Sequence, residues 1–171
     1  HLRRKHQTPL FREYVTLALL GHITRRFLAG KAPLREEQLA RVQRVPLTFV
    51  ESLTSDLMQA NMLMRTEKPK GLVLARPPEA IAVADVLKVV QHQLHNGPQG
   101  FTVGTDKISQ LLMRRDAAVQ GALEGITLRN LVKDQPIDPV SDEEWESSIE
   151  IERHQEDEKE LMPRISPDPI K

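Results

Sequence analysis

The chain has no cysteine among its 171 residues. This absence excludes thiol catalysis, iron-sulfur clusters held by cysteine and zinc sites built from cysteine. The sequence also lacks an uninterrupted apolar run of the roughly 18 to 20 residues that a membrane-spanning helix needs. We therefore expect the sequence as given to be soluble, and its length is typical of one folded domain that needs no disulfide.

Motifs of the common enzyme classes are absent as well. The sequence has no glycine-rich phosphate loop, no serine nucleophile elbow and no His-Glu-x-x-His zinc motif. His92 and His95 are three residues apart, but no acidic residue stands with them at ligand spacing, and His22 falls within an apolar helical pattern. We therefore predict that the chain is not an enzyme and that it has no catalytic residue, no metal site and no cofactor.

The formal net charge of zero conceals an uneven distribution of charge. Residues 1 to 133 carry 20 Lys and Arg against 11 Asp and Glu, whereas residues 134 to 171 carry 4 against 13. Blocks of like charge that also contain several prolines are typical of disordered segments. We therefore predict three parts: a basic N-terminal flank at residues 1 to 9, a folded domain at residues 10 to 133, and a disordered acidic tail at residues 134 to 171.

The first half of the folded domain has the pattern of a helix-turn-helix. Residues 10 to 29 predict a long helix whose apolar stripe is Leu10, Tyr14, Leu17, Leu20, Ile23, Phe27 and Leu28. Residues 34 to 44 predict a second, short helix, and Pro46 opens a third that runs to Gln59, since proline is tolerated at the first helical position. The buried stripe of this third helix is predicted to be Leu47, Val50, Leu53 and Leu57. Two short helices separated by a tight break are typical of the helix-turn-helix motif.

A short hairpin is predicted next. Residues 62 to 65 and 72 to 76 are brief strand-like runs separated by the turn sequence EKPKG, and the Pro77-Pro78 pair stops the second run. Helical patterns follow at residues 81 to 90 and 105 to 124, with a final turn at residues 126 to 132. The predicted fold class is therefore mainly α with a small β-hairpin: a winged helix-turn-helix plus an additional C-terminal helix and a disordered acidic tail. Such an additional helix often packs against the first long helix or against a second subunit, and the second alternative would make the protein a homodimer.

Two bacterial families share these patterns. The run LVLARPPEAIAVADVLKVV at residues 72 to 90 and the later ALEGITLRNLV resemble the winged-helix repressors of iron-sulfur and cysteine metabolism. The chain also resembles the cytoplasmic C-terminal region of the YihY/BrkB inner-membrane proteins, once labelled ribonuclease BN. The motifs that carry this resemblance are ITRRFLAG at residues 23 to 30, the following Pro33-Leu34, and EEQLA at residues 36 to 40. Repressors that carry a cluster use three cysteines after the wing, so the absence of cysteine excludes cluster sensing but not DNA binding.

The third helix bears on the choice between the two families, because a DNA-reading helix presents groups that contact bases and phosphates. Its outward positions are predicted to be Thr48, Glu51, Ser52, Ser55, Asp56 and Gln59. None of these is basic, and two are carboxylates that phosphates would repel. The candidate contacts to nucleic acid or to a partner are Arg41, Arg44, Thr48, Ser52, Gln59, Arg65, Lys68, Lys70 and Arg76.

The first hypothesis is therefore a non-catalytic, soluble winged-helix domain of a bacterial inner-membrane protein, serving protein interaction or regulation on the cytoplasmic side of that membrane. It is favoured by the start at His1 rather than at methionine and by the basic run HLRRKH, which is typical of the flank of a membrane span. Its partner would be the membrane domain of the same polypeptide. The alternative is a cytoplasmic winged-helix DNA-binding transcriptional regulator without an iron-sulfur cluster, whose DNA binding is expected to be weak. No small-molecule substrate is evident.

Overall fold

The computed structural model describes residues 8–94 and 104–134. Residues 1–7 and 135–171, which hold most of the predicted flank and tail, lie outside the described residues, and so do His95 and the side chain of His92. The three-part division of the chain therefore stays a prediction.

Helix α1 (Pro9–Leu28) is the central element of the described fold. Val15, Leu19 and Ile23 recur every four residues and are almost completely buried, because α1 lies against helices that precede and follow the hairpin. His22 is also buried, with its Nε2 2.8 Å from Nε2 of Gln43. His22 is therefore a packed residue of the core.

The predicted apolar stripe of α1 was partly wrong. Leu20 and Ile23 are buried, but Leu10, Tyr14 and Leu28 are exposed. With 3.6 residues per turn, Leu10, Tyr14 and Leu28 lie on the opposite side of the helix from the line of Val15 and its buried neighbours. Because α1 is apolar on two sides, periodicity alone could not show which side faces the core.

Helices α2 (Glu36–Gln43) and α3 (Leu47–Gln59) form the predicted helix-turn-helix. The first turn of α2 is closed by Gln38, whose side-chain oxygen accepts a 2.8 Å hydrogen bond from the backbone N–H of Arg35. Arg44 follows α2 in the left-handed backbone region, with φ 52°, and turns the chain into α3. The buried residues of α3 include three of the four predicted ones, Val50, Leu53 and Leu57.

The hairpin is an antiparallel pair, β1 (Leu63–Glu67) and β2 (Lys70–Leu74), in which Arg65 lies opposite Leu72. A third segment joins it, since the backbone N–H of Leu72 donates a 2.8 Å hydrogen bond to the carbonyl oxygen of Leu34. Gly71 makes this close approach possible, because a Cβ there would lie 2.8 Å from Cβ of Pro33. The wing is therefore fastened at its base to the segment between α1 and α2.

A short 3-10 turn (Pro78–Ala80) leads from the wing into α4 (Val83–Leu94), which packs on α1 and α3. The C-terminal α6 (Leu128–Asp134) returns to this junction, where the backbone N–H of Leu128 donates a 3.0 Å hydrogen bond to the carbonyl oxygen of Ile81. Ile81 and Leu128 are fully buried. These contacts complete the core beneath the hairpin.

Helix α5 (Lys107–Ala122) has a different environment. Asp106 caps it, and its carboxylate accepts a 2.6 Å hydrogen bond from the backbone N–H of Ser109. The apolar side chains of α5 are exposed rather than buried, and they are Ile108, Leu111, Leu112, Met113 and Val119. The predicted architecture, a mainly helical winged helix-turn-helix with one additional helix, is therefore confirmed. None of the residues in 8–94 and 104–134 covers the apolar face of the additional helix.

Candidate nucleic-acid interface

One face of α3 presents a row of polar side chains to solvent, four of them uncharged and one, Glu51, acidic. Thr48, Ser52 and Gln59 are exposed as predicted, and Ser55 and Glu51 lie exposed between them. Their spacing of three and four residues places them along one side of the helix. Hydroxyl and amide groups can both donate and accept hydrogen bonds at base edges, so this face has the chemistry of a reading surface.

Asp56 does not belong to that face, and its assignment to the outward positions was wrong. Its Oδ2 lies 3.5 Å from Nη2 of Arg12 on α1, and the two side chains are 16% and 15% exposed. Burial raises the pKa of the Asp56 carboxyl above its ordinary value, and the nearby Arg12 guanidinium opposes that rise. Asp56 therefore ties α3 to α1 and adds no negative charge to the reading face.

Two aromatic rings complete this connection. The Arg12 guanidinium carbon lies 5.4 Å from the centre of the Phe49 ring, and that ring stacks on Phe11 at 5.9 Å between centres. Phe49 is part of α3 and Phe11 is part of α1. The orientation of α3 is thus fixed from the side away from the polar row.

Exposed cations stand on both sides of α3. Arg41 lies in the last turn of α2, and Arg44 follows in the turn before α3. Lys68 is at the tip of the wing, and Lys70 begins β2. The side chains of Arg44, Lys68 and Lys70 are exposed and form no hydrogen bond or ion pair with any residue that the structure describes. These three are therefore free to contact an anionic partner.

The other two predicted cations already have partners. Arg76 is half-buried, and its Nε donates a 3.1 Å hydrogen bond to the carbonyl oxygen of Asn61, which holds the two ends of the hairpin together. Arg65 is exposed on β1, and its Nη2 lies 2.7 Å from Oε1 of Glu36. Arg65 and Lys70 also line one side of a cleft of about 230 Å³ between the start of α2 and the wing. Arg76 therefore has a structural role at the base of the wing.

Sequence reasoning missed Glu36 as part of this surface. The sequence places Glu36 in the EEQLA run, in the first turn of the second helix, whereas the structure shows that its carboxylate contacts both α3 and the wing. Arg65 lies 29 residues away along the chain, so no local spacing could have paired the two.

The sequence itself matches a known family. A profile described as "Rrf2: Iron-dependent Transcriptional regulator" matches residues 13–134, which is more than half of the chain. The chain belongs to the Rrf2 family. The interpretation of the chain as a YihY/BrkB inner-membrane fragment, with a membrane domain as its partner, was therefore wrong. Nor does any helix within residues 8–94 and 104–134 combine the length and the apolar character that crossing a bilayer requires.

The mistaken interpretation depended on motifs that describe packing and on the two carboxylates assigned to α3. The alternative, a winged-helix regulator, agrees with the Rrf2 match. The description of the family is of transcriptional regulators, which agrees at family level with the prediction of a non-catalytic chain.

Solved structures show the same fold. IscR of T. potens is 20% identical, with a TM-score of 0.56 over 76% of this chain and 89% of IscR. CymR of B. subtilis, described as its global cysteine regulator, is 21% identical, with a TM-score of 0.55 over 73% of this chain and 95% of CymR. CymR of Staphylococcus aureus gives a TM-score of 0.54 at 21% identity, over 73% of this chain and 98% of CymR. No curated protein sequence matches the chain.

The iron dependence in the family description was tested against the donor groups of this member. Iron-sulfur clusters are usually held by cysteine thiolates, and the chain has no cysteine. Within the described part of the chain, no three His, Asp or Glu side chains are grouped so that they could hold a metal ion. The described residues therefore do not fit a cluster or an iron ion.

Proposed function

We propose that this Rrf2 protein is a DNA-binding transcriptional regulator that works without a cysteine-held cluster. The observation that carries the proposal is the polar, exposed face of α3 with free cations on both sides of it, namely Arg44 before the helix and Lys68 and Lys70 on the wing. The expectation of weak binding rested on the lack of basic residues on the outward face of α3 and on two carboxylates there. One of the two, Asp56, is engaged with Arg12, and the cations stand beside the helix rather than on it.

The geometry assigns different tasks to the two kinds of residue. In helix-turn-helix proteins the second helix enters the major groove and its N-terminal residues contact base edges. Thr48, Glu51 and Ser52 occupy that part of α3, so they would contribute most of the sequence preference. Arg44 and the wing lysines would contact phosphates, which supplies affinity and fixes the register without reading sequence.

The proposal is tested by selecting duplexes from a random library with the full chain and measuring their affinity by fluorescence anisotropy between 50 and 200 mM salt. In the dimer proposed below, each single change of Arg44, Lys68 or Lys70 to alanine should lower the magnitude of the salt slope by about two, since it removes one phosphate contact from each subunit. Lys133→Ala is the matched control, because Lys133 is an exposed cation on α6, which packs on α1 and the 3-10 turn. Failure of selection to enrich any sequence would contradict the proposal.

We also propose that the functional unit is a homodimer built on α5. Ile108 is 71% exposed and Leu112, one turn further along the same face, is 40% exposed, although both are large apolar side chains. A second copy of the same helix would cover this face, and a two-fold dimer would place two copies of α3 on two half-sites of DNA.

Sedimentation velocity of the full chain tests the dimer. The unaltered chain should sediment as a dimer, and Ile108→Glu combined with Leu112→Glu should shift it to monomer. Arg114→Glu is the control, since it introduces the same acid at an exposed polar position of the same helix. Persistence of the dimer in the double variant would show that α5 is not the interface.

A further inference from the structure

A single carboxylate oxygen joins the three elements of the DNA-binding unit. Oε1 of Glu36, the first residue of α2, accepts a 2.6 Å hydrogen bond from the hydroxyl of Thr54 on α3. The same oxygen accepts a 2.7 Å hydrogen bond from Nη2 of Arg65 on β1. Thr54 is completely buried, so the side of the carboxylate that faces α3 is rigidly held.

The guanidinium of Arg65 is hydrogen-bonded to Glu36 through one nitrogen, and the side chain is otherwise exposed to solvent. Its side chain is 54% exposed, while that of Glu36 is 16% exposed. Only Nη2 of its guanidinium has a partner among the residues that the structure describes. A guanidinium is a rigid planar fork, so holding one nitrogen sets the direction of the remaining N–H groups. Nε and Nη1 have no partner among those residues and keep their hydrogen-bonding capacity for an external acceptor.

A simple stabilising ion pair does not account for this arrangement. Ion pairs with an exposed partner contribute little to stability, and Glu36 gives up much of its hydration to make this one. The geometry instead orients the wing relative to α3, because one oxygen of Glu36 is hydrogen-bonded both to Arg65 of the wing and to the buried hydroxyl of Thr54 on α3.

We infer that Glu36 is a positioning residue for DNA binding: it fixes Arg65, and with it the wing, at one orientation relative to α3, so that the free edge of the guanidinium meets a phosphate. The inference rests on the proposed function and deepens it, since it names the contact that relates the reading helix to the wing. Glu36 itself does not touch DNA.

A double-mutant cycle in DNA affinity tests the inference with the full chain and a selected duplex. Glu36→Ala should weaken binding about tenfold while Arg65 is present, and less than about twofold in the Arg65→Ala background, because coupled residues lose their shared effect together. Glu36→Gln keeps an oxygen that can accept both hydrogen bonds, so it should restore affinity to within about threefold of the unaltered chain. A merely structural role would weaken binding equally in both backgrounds.

Thr54→Val supplies a second cycle if Glu36→Ala does not fold, since valine keeps the shape of threonine but cannot donate to Glu36. It should weaken binding severalfold with Arg65 present and leave binding unchanged in the Arg65→Ala background. Equal losses in both backgrounds would overturn the inference while leaving the proposed function intact. Failure of the unaltered chain to bind any duplex would instead overturn the proposed function, and the inference with it.

Discussion

Gly71 lies where the wing meets the segment before α2, and its replacement by alanine tests that junction. A Cβ at this position would lie 2.8 Å from Cβ of Pro33 and 3.0 Å from the carbonyl oxygen of Leu34. The second contact is with backbone, which cannot swing aside as a flexible side chain can. The two segments would therefore have to separate by several tenths of an ångström. The neighbouring hydrogen bond from Leu72 to Leu34, now 2.8 Å, would lengthen with them.

The cost follows from three contributions. Overpacking of a tight site typically destabilises by about 1–3 kcal/mol. Weakening the hydrogen bond to Leu34 adds up to about 1 kcal/mol. Replacing glycine also reduces the entropy of the unfolded chain, which stabilises the folded state by about 0.4–1 kcal/mol and offsets part of that loss. Gly71→Ala should therefore lower the free energy of unfolding by about 1–3 kcal/mol, which corresponds to a fall of roughly 4–10 °C in Tm for a domain of this size.

Gly121→Ala is the matched control, because the same atom is added in open space. Gly121 lies on the exposed side of α5, and nothing is within 4 Å of the Cβ that it would gain. Alanine is a better helix former than glycine, so this variant should be up to about 1 kcal/mol more stable. Urea unfolding followed by circular dichroism measures both variants. A Gly71→Ala protein as stable as the Gly121→Ala protein would refute the close packing of the wing on Pro33 and Leu34.

Two further perturbations concern α3 and the turn before it. Arg44→Gly should raise the free energy of unfolding by about 0.5–1 kcal/mol, because a backbone φ of 52° strains a residue with a Cβ. The same variant should bind DNA more weakly, since it loses a cation. Urea unfolding measures the first effect and fluorescence anisotropy the second, and a less stable variant would contradict the description of the turn. Asp56 has a pKa raised above its ordinary value of 3.8, chiefly by burial, so its contribution to stability is present below that value and is lost as the pH rises through the raised pKa. Asp56→Asn should remove this dependence, and parallel stability profiles of the two proteins between pH 3.5 and about 7 would show that Asp56 is not the group responsible.

The architecture could be predicted because its signals are local. The Pro77-Pro78 pair ends a strand wherever it stands, and the apolar spacing of α3 does not depend on distant contacts. The strand ends are less accurate, since the sequence predicts a turn at residues 67 to 71. In the structure Glu67 and Lys70 are backbone partners across the hairpin, so the strand pair continues into polar residues. The turn is therefore tighter than composition predicts.

The candidate site was predictable in its residue types but not in its connections. Exposed Thr48 and Ser52 follow from helical periodicity. The roles of Asp56 and Glu36 do not, because their partners Arg12 and Arg65 lie 44 and 29 residues away along the chain. Both acids look alike in sequence, as carboxylates near a reading helix. Only the fold shows that Asp56 connects α3 to α1 and that Glu36 connects α3 to the wing.

The number of available cations sets how strongly salt should affect binding. Each subunit offers Arg44, Lys68, Lys70 and the open edge of Arg65, and a dimer offers twice that number. With a slope of about −0.9 per neutralised phosphate, a dimer contacting eight phosphates would lose about 10⁴-fold in affinity between 50 and 200 mM salt, and a single subunit about 10²-fold. The salt slope therefore reports the binding unit. A salt slope that is steep in the unaltered chain and shallow when Ile108 and Leu112 are replaced would link the apolar face of α5 to DNA binding by α3.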